Sequence, residues 1–334
     1  MTPIDRAAQR LAFVRMHLGA QASEPVTASA DAGFRSYWRT HTDDGRSLVV
    51  MDSPPAQEDV RPWLALHALL DQGGVRVPAV LARDVDAGFL LLEDLGGPTL
   101  LQTIDAANAD TWFGHVRDQL LRLQRIALPD HFPAYDETLV RRELALFPEW
   151  FLQRHLGIQW HADERAAYER ACEHLLAAFL VQPQVLVHRD FMPRNLMPLR
   201  DGVAVLDFQD AVRGPIAYDV LSSFKDAFLS WPQTRIDGWA AQWRDAMHDA
   251  GLPVPSRDAF ARDLDLIGVQ RHLKVLGIFA RLNHRDGKAR YLADASRFVA
   301  YLDAVLPRHP ELAPLHALLQ RHVLPAIPPL ALPQ

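Results

Sequence analysis

The chain has 334 residues, 49% hydrophobic and 23% charged, a balance typical of a globular protein with a sizeable core. Its net charge of −6 gives no indication of a nucleic-acid-binding surface. Cys172 is the single cysteine, which excludes an internal disulfide, and no apolar stretch approaches the length of about 18 residues that indicates a membrane span.

These features predict a cytoplasmic protein without a membrane or nucleic-acid partner and with no evident obligate protein partner. The first residues open an amphipathic helix rather than a secretory signal. A lone cysteine fits a reducing compartment. Cys172 lies in a stretch with helical periodicity, and we interpret it as a small core residue rather than a nucleophile.

Residues 1–95 predict a small lobe of strands and helices. In chain order the pattern predicts a helix over 4–18, strands over 34–41 and 47–51 joined by a turn at Asp43-Asp44-Gly45, a helix over 58–72, and strands over 75–82 and 88–92. The pair Gly96-Gly97 predicts a hinge, which places the boundary between an N-lobe of residues 1–95 and a C-lobe of residues 96–334.

The region after the hinge is predominantly helical in pattern. Helical periodicity covers residues 108–126, 136–154, 162–181, 216–229, 235–250, 256–283 and 290–306. Only the segment around residues 185–210 interrupts it with strands. The proline-rich residues 307–333 predict a loosely attached tail.

Two apolar strands in this interruption each end in polar side chains. The first runs into His188-Arg189-Asp190-Phe191-Met192-Pro193-Arg194-Asn195, and the second closes on Asp207. The spacing H-R-D-x-x-x-x-N followed by a strand-terminal aspartate is typical of kinase-like phosphotransferases. We interpret Asp190 as the acceptor of the proton of an attacking hydroxyl. Asn195 and Asp207 would hold the Mg²⁺ that bridges the ATP phosphates.

The motif predicts an α+β fold with a bilobal, protein-kinase-like architecture: a small mixed N-lobe and a larger, mainly helical C-lobe. The alternative interpretation of the motif is a surface loop between two core strands, with solvated charged side chains. The motif Pro215-Ile216-Ala217-Tyr218-Asp219 begins only eight residues after Asp207, so a protein kinase with a long activation segment does not fit. We expect Asp219 to anchor the catalytic-loop backbone and His188 to brace it from the core.

The lysine and glutamate that kinases pair in the small lobe are both missing. Met51 stands at the lysine position on the return strand, and His67 lies where the glutamate would be sought. The ATP phosphates therefore need another cation, and the candidates are Arg35, Arg39 and Arg194. Because a guanidinium can grip phosphate in bidentate fashion, our hypothesis is that Arg35 or Arg194 replaces the lysine.

The remaining nucleotide contacts are predicted at two places. The loop before the first hairpin, with Asp31, Gly33 and Phe34, offers backbone N–H groups to a phosphate. Glu93 and Leu95 lie at the hinge, where backbone groups would pair with adenine.

The chain resembles the aminoglycoside phosphotransferase/choline kinase family. The resemblance rests on Ala30–Arg39, Met51–Pro55, Gly88–Gly96, Arg141–Trp150, the catalytic stretch, Asp207–Ala211 and Gln270–Arg281. Within the family it is similar to sugar kinases of cell-wall recycling. This resemblance implies transfer of phosphate from ATP, with Mg²⁺, to the anomeric hydroxyl of N-acetylmuramate and N-acetylglucosamine.

Substrate recognition is predicted from position and charge. Gln209 and Asp210 adjoin the metal aspartate and are placed to reach the acceptor. A cation is expected for the lactyl carboxylate of N-acetylmuramate. Arg271 and Lys274 in the helical segment 256–283 are the candidates for this cation, although they could equally form a solvated helix face. Arg142 and Glu143 are candidates for another wall of the acceptor pocket.

Two other functions stay open from the sequence. One is a different small-molecule kinase, for choline, homoserine or an aminoglycoside; the basic residues 271–281 speak against the cationic acceptors. The other is a non-catalytic ATP-binding module, which the missing lysine favours and the intact Asp190, Asn195 and Asp207 oppose.

Overall fold

The computed structural model describes residues 3–29 and 34–333. The chain divides into two compact units. The first comprises Met1–Leu123 and Pro193–Gln209, and the second comprises Gln124–Met192 and Asp210–Gln334. The boundary expected between residues 95 and 96 stays a prediction, because the first unit is made of two separate segments of the chain.

The elements follow the predicted order closely. The strands are β1 (Val26–Ser29), β2 (Ser36–His41), β3 (Ser47–Asp52), β4 (Val80–Asp84), β5 (Phe89–Glu93), β6 (Gln184–Val187), β7 (Leu196–Leu199), β8 (Gly202–Val205) and β9 (Val212–Pro215). The α-helices are α1 (Pro3–Leu18), α2 (Arg61–Gln72), α3 (Ala109–Gln124), α4 (Glu137–Leu144), α5 (Ala162–Leu180), α6 (Tyr218–Phe224), α7 (Gln233–Asp249), α8 (Arg257–Asp286), α9 (Ala295–Val305) and α10 (Ala313–Leu318).

The first unit is built on an antiparallel sheet in the order β1-β2-β3-β5-β4. The turn between β2 and β3 uses Gly45 at φ 84°, a left-handed conformation that favours glycine, as the sequence predicted. Helix α1 covers the sheet through Phe13 and Val14, which share a core with Val50 and Leu91. The predicted small mixed lobe is confirmed.

The strand predicted over residues 75–82 is wrong in its first half, since β4 begins only at Val80. The preceding residues bond elsewhere: the Arg76 N–H donates to the Gln119 side chain at 2.9 Å, and its carbonyl accepts from the Val205 N–H at 2.7 Å. Pro78 has no N–H to donate to a ladder. Side-chain and β8 contacts therefore replace regular sheet pairing here.

The second unit is mainly helical, as predicted, but one predicted helix is broken. The pattern over 136–154 becomes α4 followed by a separate π-helix, Phe147–His155. Pro148 accounts for the break, because it lacks an N–H and clashes with the carbonyl four residues before it. Gly277 of α8 lets this corner pack tightly, since a Cβ there would lie 2.5 Å from the Leu146 carbonyl carbon.

The expectation of a loosely attached C-terminal tail is wrong for residues 307–323. Residues 306–323 form 3₁₀ helices, α10 and a π-turn, and Leu312, Leu315, Leu319 and Val323 are buried. The tail also binds α5 through charge: Glu164 accepts from Arg321 at 2.9 Å and from His322 at 2.8 Å. The prolines end short helices here without preventing them from packing, because proline is tolerated in a first helical turn.

Two predictions about environment can be compared with this fold. Burial raises the pKa of Cys172 to about 12, so its thiol stays protonated near neutrality and the interpretation as a packing residue is supported. Across the described parts of the chain, none of the helices combines the length and apolar character needed to traverse a bilayer.

Candidate active site

The loop that carries Asp190 is held by hydrogen bonds from α6. It follows β6, which pairs antiparallel with β9. The Asp219 carboxylate accepts the N–H groups of His188 at 2.6 Å and Arg189 at 3.0 Å. The predicted anchoring role of Asp219 is confirmed. Arg189 has φ 76°, a costly conformation for a non-glycine residue, and these two bonds help to hold it there.

Further bonds fix the next residues of the loop. The hydroxyls of Ser222 and Ser223 donate to the carbonyl of Phe191 at 3.1 and 3.2 Å. The Asp190 N–H donates to Nδ1 of His188 at 3.3 Å, and His188 is buried. His188 therefore braces the loop from the core, as predicted.

Asp190 combines access to solvent with a fixed ionisation state. Its side chain is 45% exposed, and its Oδ1 lies 3.4 Å from Nη2 of Arg271, which is itself almost fully buried. Burial opposes ionisation of Asp190, but the charges of Arg271 and Lys274 outweigh it and hold its pKa below the usual value. A carboxylate that stays ionised at neutral pH can accept a proton.

A buried polar network around Glu143 lies behind this loop. Glu143 accepts from Arg189 at 2.9 Å and from Gln270 at 3.2 Å, pairs with Lys274 at 3.0 Å, and also accepts from the Tyr135 hydroxyl. Burial opposes its ionisation, yet the cations of Lys274 and Arg189 hold the pKa of Glu143 below the usual value. Each buried charge is thus compensated, as stability requires.

The predicted substrate residues on α4 and α8 occupy different environments. Arg271 and Lys274 are buried, so the alternative of a solvated helix face is wrong. Nη1 of Arg271 donates to the Arg189 carbonyl at 2.9 Å, and Lys274 donates to the Tyr218 hydroxyl at 3.2 Å. Arg271, Lys274 and Glu143 therefore support the loop, and any contact of theirs with an acceptor stays a prediction. Arg142 is exposed on α4.

The two predicted metal ligands meet within the first unit. Asn195 ends the 3₁₀ turn Pro193–Asn195, and Asp207 follows β8. The Leu206 N–H donates to the Asn195 carbonyl at 2.9 Å, which draws the two segments together. Nδ2 of Asn195 lies 3.5 Å from Oδ2 of Asp207. Asp207 adopts φ 59°, a second strained non-glycine position at the motif.

The side-chain oxygens of Asn195 and Asp207 fit a hard cation that takes most of its ligands from water and substrate phosphates. The side chain of Asp207 is exposed, and the amide of Gln209 donates to its Oδ1 at 2.7 Å. No cluster of three or more His, Cys, Asp or Glu side chains suited to a metal occurs in the described ranges. An amide oxygen and a carboxylate suit Mg²⁺, which keeps waters and binds substrate phosphates. Asp210 begins the next segment of the second unit and is exposed.

The positions of the missing lysine–glutamate pair are filled by apolar and aromatic packing. Met51 is fully buried in β3. The ring of His67 stacks on Trp63, with centroids 5.2 Å apart, and its Nε2 lies 2.7 Å from the Pro78 carbonyl. Both departures from the kinase pattern are therefore accommodated in the packing.

Among the cations proposed for phosphate, Arg35 and Arg39 differ in their partners. Arg39 is committed to Asp94 by a 2.6 Å ion pair at the end of β5. Arg35 pairs with Glu58 at 3.3 Å, and its buried Nη1 makes no hydrogen bond to any described residue. Arg194 is exposed. Arg35 thus has donor capacity to spare, which Arg39 has largely used.

The other predicted nucleotide residues are placed as follows. Asp31 and Gly33 lie outside the described residues. Phe34 is 65% exposed, an unusual setting for a phenylalanine, and Leu95 is half-buried. The Glu93 side chain is occupied by Arg76 at 2.5 Å, so only its backbone remains for a ligand.

Three residues that support the loop were not predicted from the sequence: Tyr135, Tyr218 and Gln270. The two hydroxyls lie 3.3 Å apart, and both lie within 3.3 Å of the Lys274 ammonium. A usable signal was present, because Gln270, Arg271 and Lys274 are polar residues in an otherwise apolar stretch of α8. Polar side chains on a buried helix face indicate a network that satisfies them.

Comparison with known proteins places this arrangement in a family. The phosphotransferase enzyme family model matches residues 26–261. An N-acetylmuramate/N-acetylglucosamine kinase of Pseudomonas putida is 50% identical over 295 residues, or 88% of this chain and 87% of the relative. Choline kinase LicA of Streptococcus pneumoniae superposes with a TM-score of 0.63 at 12% identity, covering 91% of this chain and 100% of that one.

A further solved structure has the same fold with ligands bound. Amicoumacin kinase hAmiN, in a complex with AMP-PNP and Ca²⁺, gives a TM-score of 0.58 at 14% identity over 88% of this chain and 93% of its own. These likenesses confirm the predicted kinase-like fold. The chain belongs to the phosphotransferase enzyme family and is a kinase of that family.

Proposed function

We propose that the chain transfers the γ-phosphoryl group of ATP to the anomeric C1 hydroxyl of N-acetylmuramate and N-acetylglucosamine, as a step of peptidoglycan recycling. The observation that carries this proposal is the 50% identity, over most of both chains, to a kinase named for these two amino sugars. The loop contacts of Asp190 agree with it, because phosphoryl transfer asks the protein chiefly to align reactants and stabilise charge.

In this proposal Asp190 orients the C1 hydroxyl and takes its proton. Arg271 keeps Asp190 ionised, and Asp219 keeps the loop in the conformation that presents the carboxylate. An anomeric hydroxyl is more acidic than an ordinary alcohol, so a carboxylate of low pKa is an adequate base. General base catalysis of this kind contributes about 10²–10⁴ in rate.

Asn195 and Asp207 are the proposed ligands of Mg²⁺, and Gln209 steadies Asp207 through its 2.7 Å hydrogen bond. The metal ion, when bound with ATP, would offset the negative charge that develops on the transferring phosphoryl group. The complex of a fold relative with AMP-PNP and Ca²⁺ supports the use of a nucleotide with a divalent cation.

Recognition of the sugar is proposed to involve exposed groups. Gln209, Asp210 and Arg142 are the candidates for direct contact. Burial lowers the pKa of Arg281 on α8; Arg285 and Arg142 add to this shift, whereas Asp286 and Glu149 oppose it. The exposed guanidinium of Arg142 could pair with an anionic lactyl group, which favours N-acetylmuramate over cationic acceptors.

The test is a panel of acceptors in the presence of ATP and Mg²⁺, with release of ADP as the readout. We expect turnover with N-acetylmuramate and N-acetylglucosamine and none with choline, homoserine or kanamycin. A phosphorus NMR spectrum of the product should show a sugar 1-phosphate. Turnover confined to another acceptor would overturn the substrate assignment, and ATP binding without turnover of any acceptor would favour a non-catalytic module.

A further inference from the structure

Lysine is scarce in this chain, and its positions are unusual. The sequence contains 35 lysines and arginines, of which lysine occupies only 225, 274 and 288, leaving 32 arginines. Lys225 and Lys274 are both buried. Lysine differs from arginine in being able to lose its proton near neutrality and then act as a nucleophile. Lys274 is explained by its ion pair with Glu143, whereas Lys225 has no such partner among the residues that the structure describes.

Lys225 lines a cavity of about 270 Å³ within the second unit. The walls come from α6, α7, α8 and the 3₁₀ turn at residues 306–308, with Phe224, Ile236 and Phe260 on the apolar side. Four cationic and three acidic side chains also line it: Lys225, Arg244, Arg257 and Arg308 against Asp237, Asp258 and Asp265. This volume is close to the lower end of the range of volumes of small-molecule binding pockets.

The Lys225 ammonium forms no salt bridge with any residue in 3–29 or 34–333, although only 4% of the residue is exposed. Its Nζ lies 5.7 Å from the ring centre of Tyr301. The nearby carboxylate of Asp265 is committed to Arg308 at 2.6 Å and to His309 at 3.0 Å. A buried ammonium without a counter-ion is unfavourable, so the neutral amine gains in population.

The charged groups around the Lys225 amine shift its pKa in opposite directions. Burial is the largest influence and lowers the pKa of Lys225 to about 8; Asp265 and Asp237 oppose the shift, and Arg308 adds to it. His272 also adjoins Lys225 and is kept uncharged, chiefly by burial, which holds its pKa well below the usual range. At pH 7 roughly one amine in ten is then neutral, against about one in a few thousand for an ordinary lysine.

We propose that Lys225 is a reactive amine that captures a small aldehyde bearing an anionic group, as an imine within this cavity. The neutral amine adds to the carbonyl carbon, and the resulting carbinolamine loses one water to give the C=N bond. Each arginine of the lining already has a partner: Arg308 pairs with Asp265, Arg257 with Asp245, and Arg244 with Asp245 and the Pro255 carbonyl. Their remaining N–H groups would hold the anionic group, since guanidinium suits carboxylate and phosphate. The apolar walls would take the body of the ligand.

The presence of only three lysines makes a direct labelling test possible. The full-length protein is incubated with pyridoxal 5′-phosphate at pH 7, and imines are reduced with borohydride to stable secondary amines. Chymotryptic peptides are then quantified by mass spectrometry. We expect Lys225 to be modified at least about tenfold faster than Lys288, with Lys274 unmodified because its ammonium is paired. Modification of Lys225 at or below the rate of Lys288 would overturn the proposal.

Two comparisons sharpen the result. Lys225→Arg keeps the positive charge and should abolish the fast labelling phase, whereas Lys288→Arg should leave it intact; circular dichroism checks that both variants fold. Pyridoxal without its phosphate should react with Lys225 roughly tenfold more slowly. Equal rates for the two aldehydes would overturn the assignment of an anionic ligand, and a fast phase that survives in Lys225→Arg would overturn the site.

Discussion

Arg271 ties the catalytic loop to α8 through two contacts: Nη1 donates to the Arg189 carbonyl at 2.9 Å, and Nη2 lies 3.4 Å from Oδ1 of Asp190. The guanidinium is 4% exposed and the carboxylate 45% exposed. A buried, permanently charged group thus faces a half-exposed base. Because the cation is held rigidly within a helix, it sets both the position and the ionisation of Asp190.

Replacing Arg271 with Met should therefore raise the pKa of Asp190 and lower kcat roughly 10- to 100-fold, since loss of alignment has costs of this order. The measurement is kcat as a function of pH. Arg285→Met on the same helix, where the arginine pairs with its exposed neighbour Asp286, is the matched control and should leave kcat unchanged. An unaltered pH profile for Arg271→Met would contradict this role.

Asp190→Asn removes the proposed base while preserving size and shape. We expect kcat to fall by about 10²–10⁴ with little change in the KM for ATP, because general base catalysis supplies a factor of this size. Single-turnover kinetics would separate the chemical step from product release. Asp201→Asn, which alters an exposed residue in the turn between β7 and β8, should leave kcat nearly unchanged.

Activity should fall below about pH 6. Burial raises the pKa of Asp219 to about 6, so its carboxylate is ionised above that pH and protonated below it. The protonated form is a weaker acceptor for the N–H groups of His188 and Arg189, which should loosen the loop. Asp190 is not expected to set this limit, because its own pKa is lowered.

The pH dependence of kcat/KM checks this origin of the acid limb. In Asp219→Asn the limb near pH 6 should disappear and the plateau should be lower, because the amide oxygen replaces only one carboxylate oxygen. Asp263→Asn is the control: burial raises the pKa of Asp263 to about 6 as well, but it has no contact with the loop among the hydrogen bonds described. A limb near pH 6 that persists in Asp219→Asn would refute the assignment.

Arg35 is expected to serve ATP in place of the missing lysine. Arg35→Met should raise the KM for ATP at least about tenfold with a smaller effect on the KM for the sugar, because a charge-assisted contact to phosphate is lost. Arg39→Met should change the KM for ATP little, since Arg39 is paired with Asp94. Arg194→Met tests the remaining candidate. Unchanged ATP kinetics in both Arg35→Met and Arg194→Met would end the hypothesis.

Asp52 should be a major determinant of stability in the first unit. It is buried and accepts from Arg6 at 2.6 Å and from Arg10 at 2.9 Å, which fixes α1 against the end of β3. Asp52→Ala leaves the buried guanidinium of Arg10 and the partly buried one of Arg6 without their anion, a loss of about 3–5 kcal/mol. Urea unfolding should show this as a lower midpoint. Asp86→Ala, which breaks an exposed pair with Arg61, should change the midpoint little.

Local patterns were sufficient for most of the fold. The strand that runs into His188-Arg189-Asp190 and the turn at Gly45 were predicted because alternation, apolar runs and turn residues act within a few positions. The break at Pro148 was missed although its cause lies in the sequence, because the flanking residues keep helical periodicity. The packing of the tail was missed because proline content indicates loops and does not report burial.

The chemistry of the site was likewise predictable from the sequence only in part. Sequence alone determined which residues carry it, since the offsets joining Asp190, Asn195 and Asp207 are fixed along the chain. Only the tertiary structure decided that Arg271 and Lys274 are buried behind the loop rather than solvated, and that Lys225 lines a cavity with no counter-ion from the described part of the chain. The physical reason is that ionisation and hydrogen bonding depend on burial and on partners distant in sequence, which no local pattern encodes.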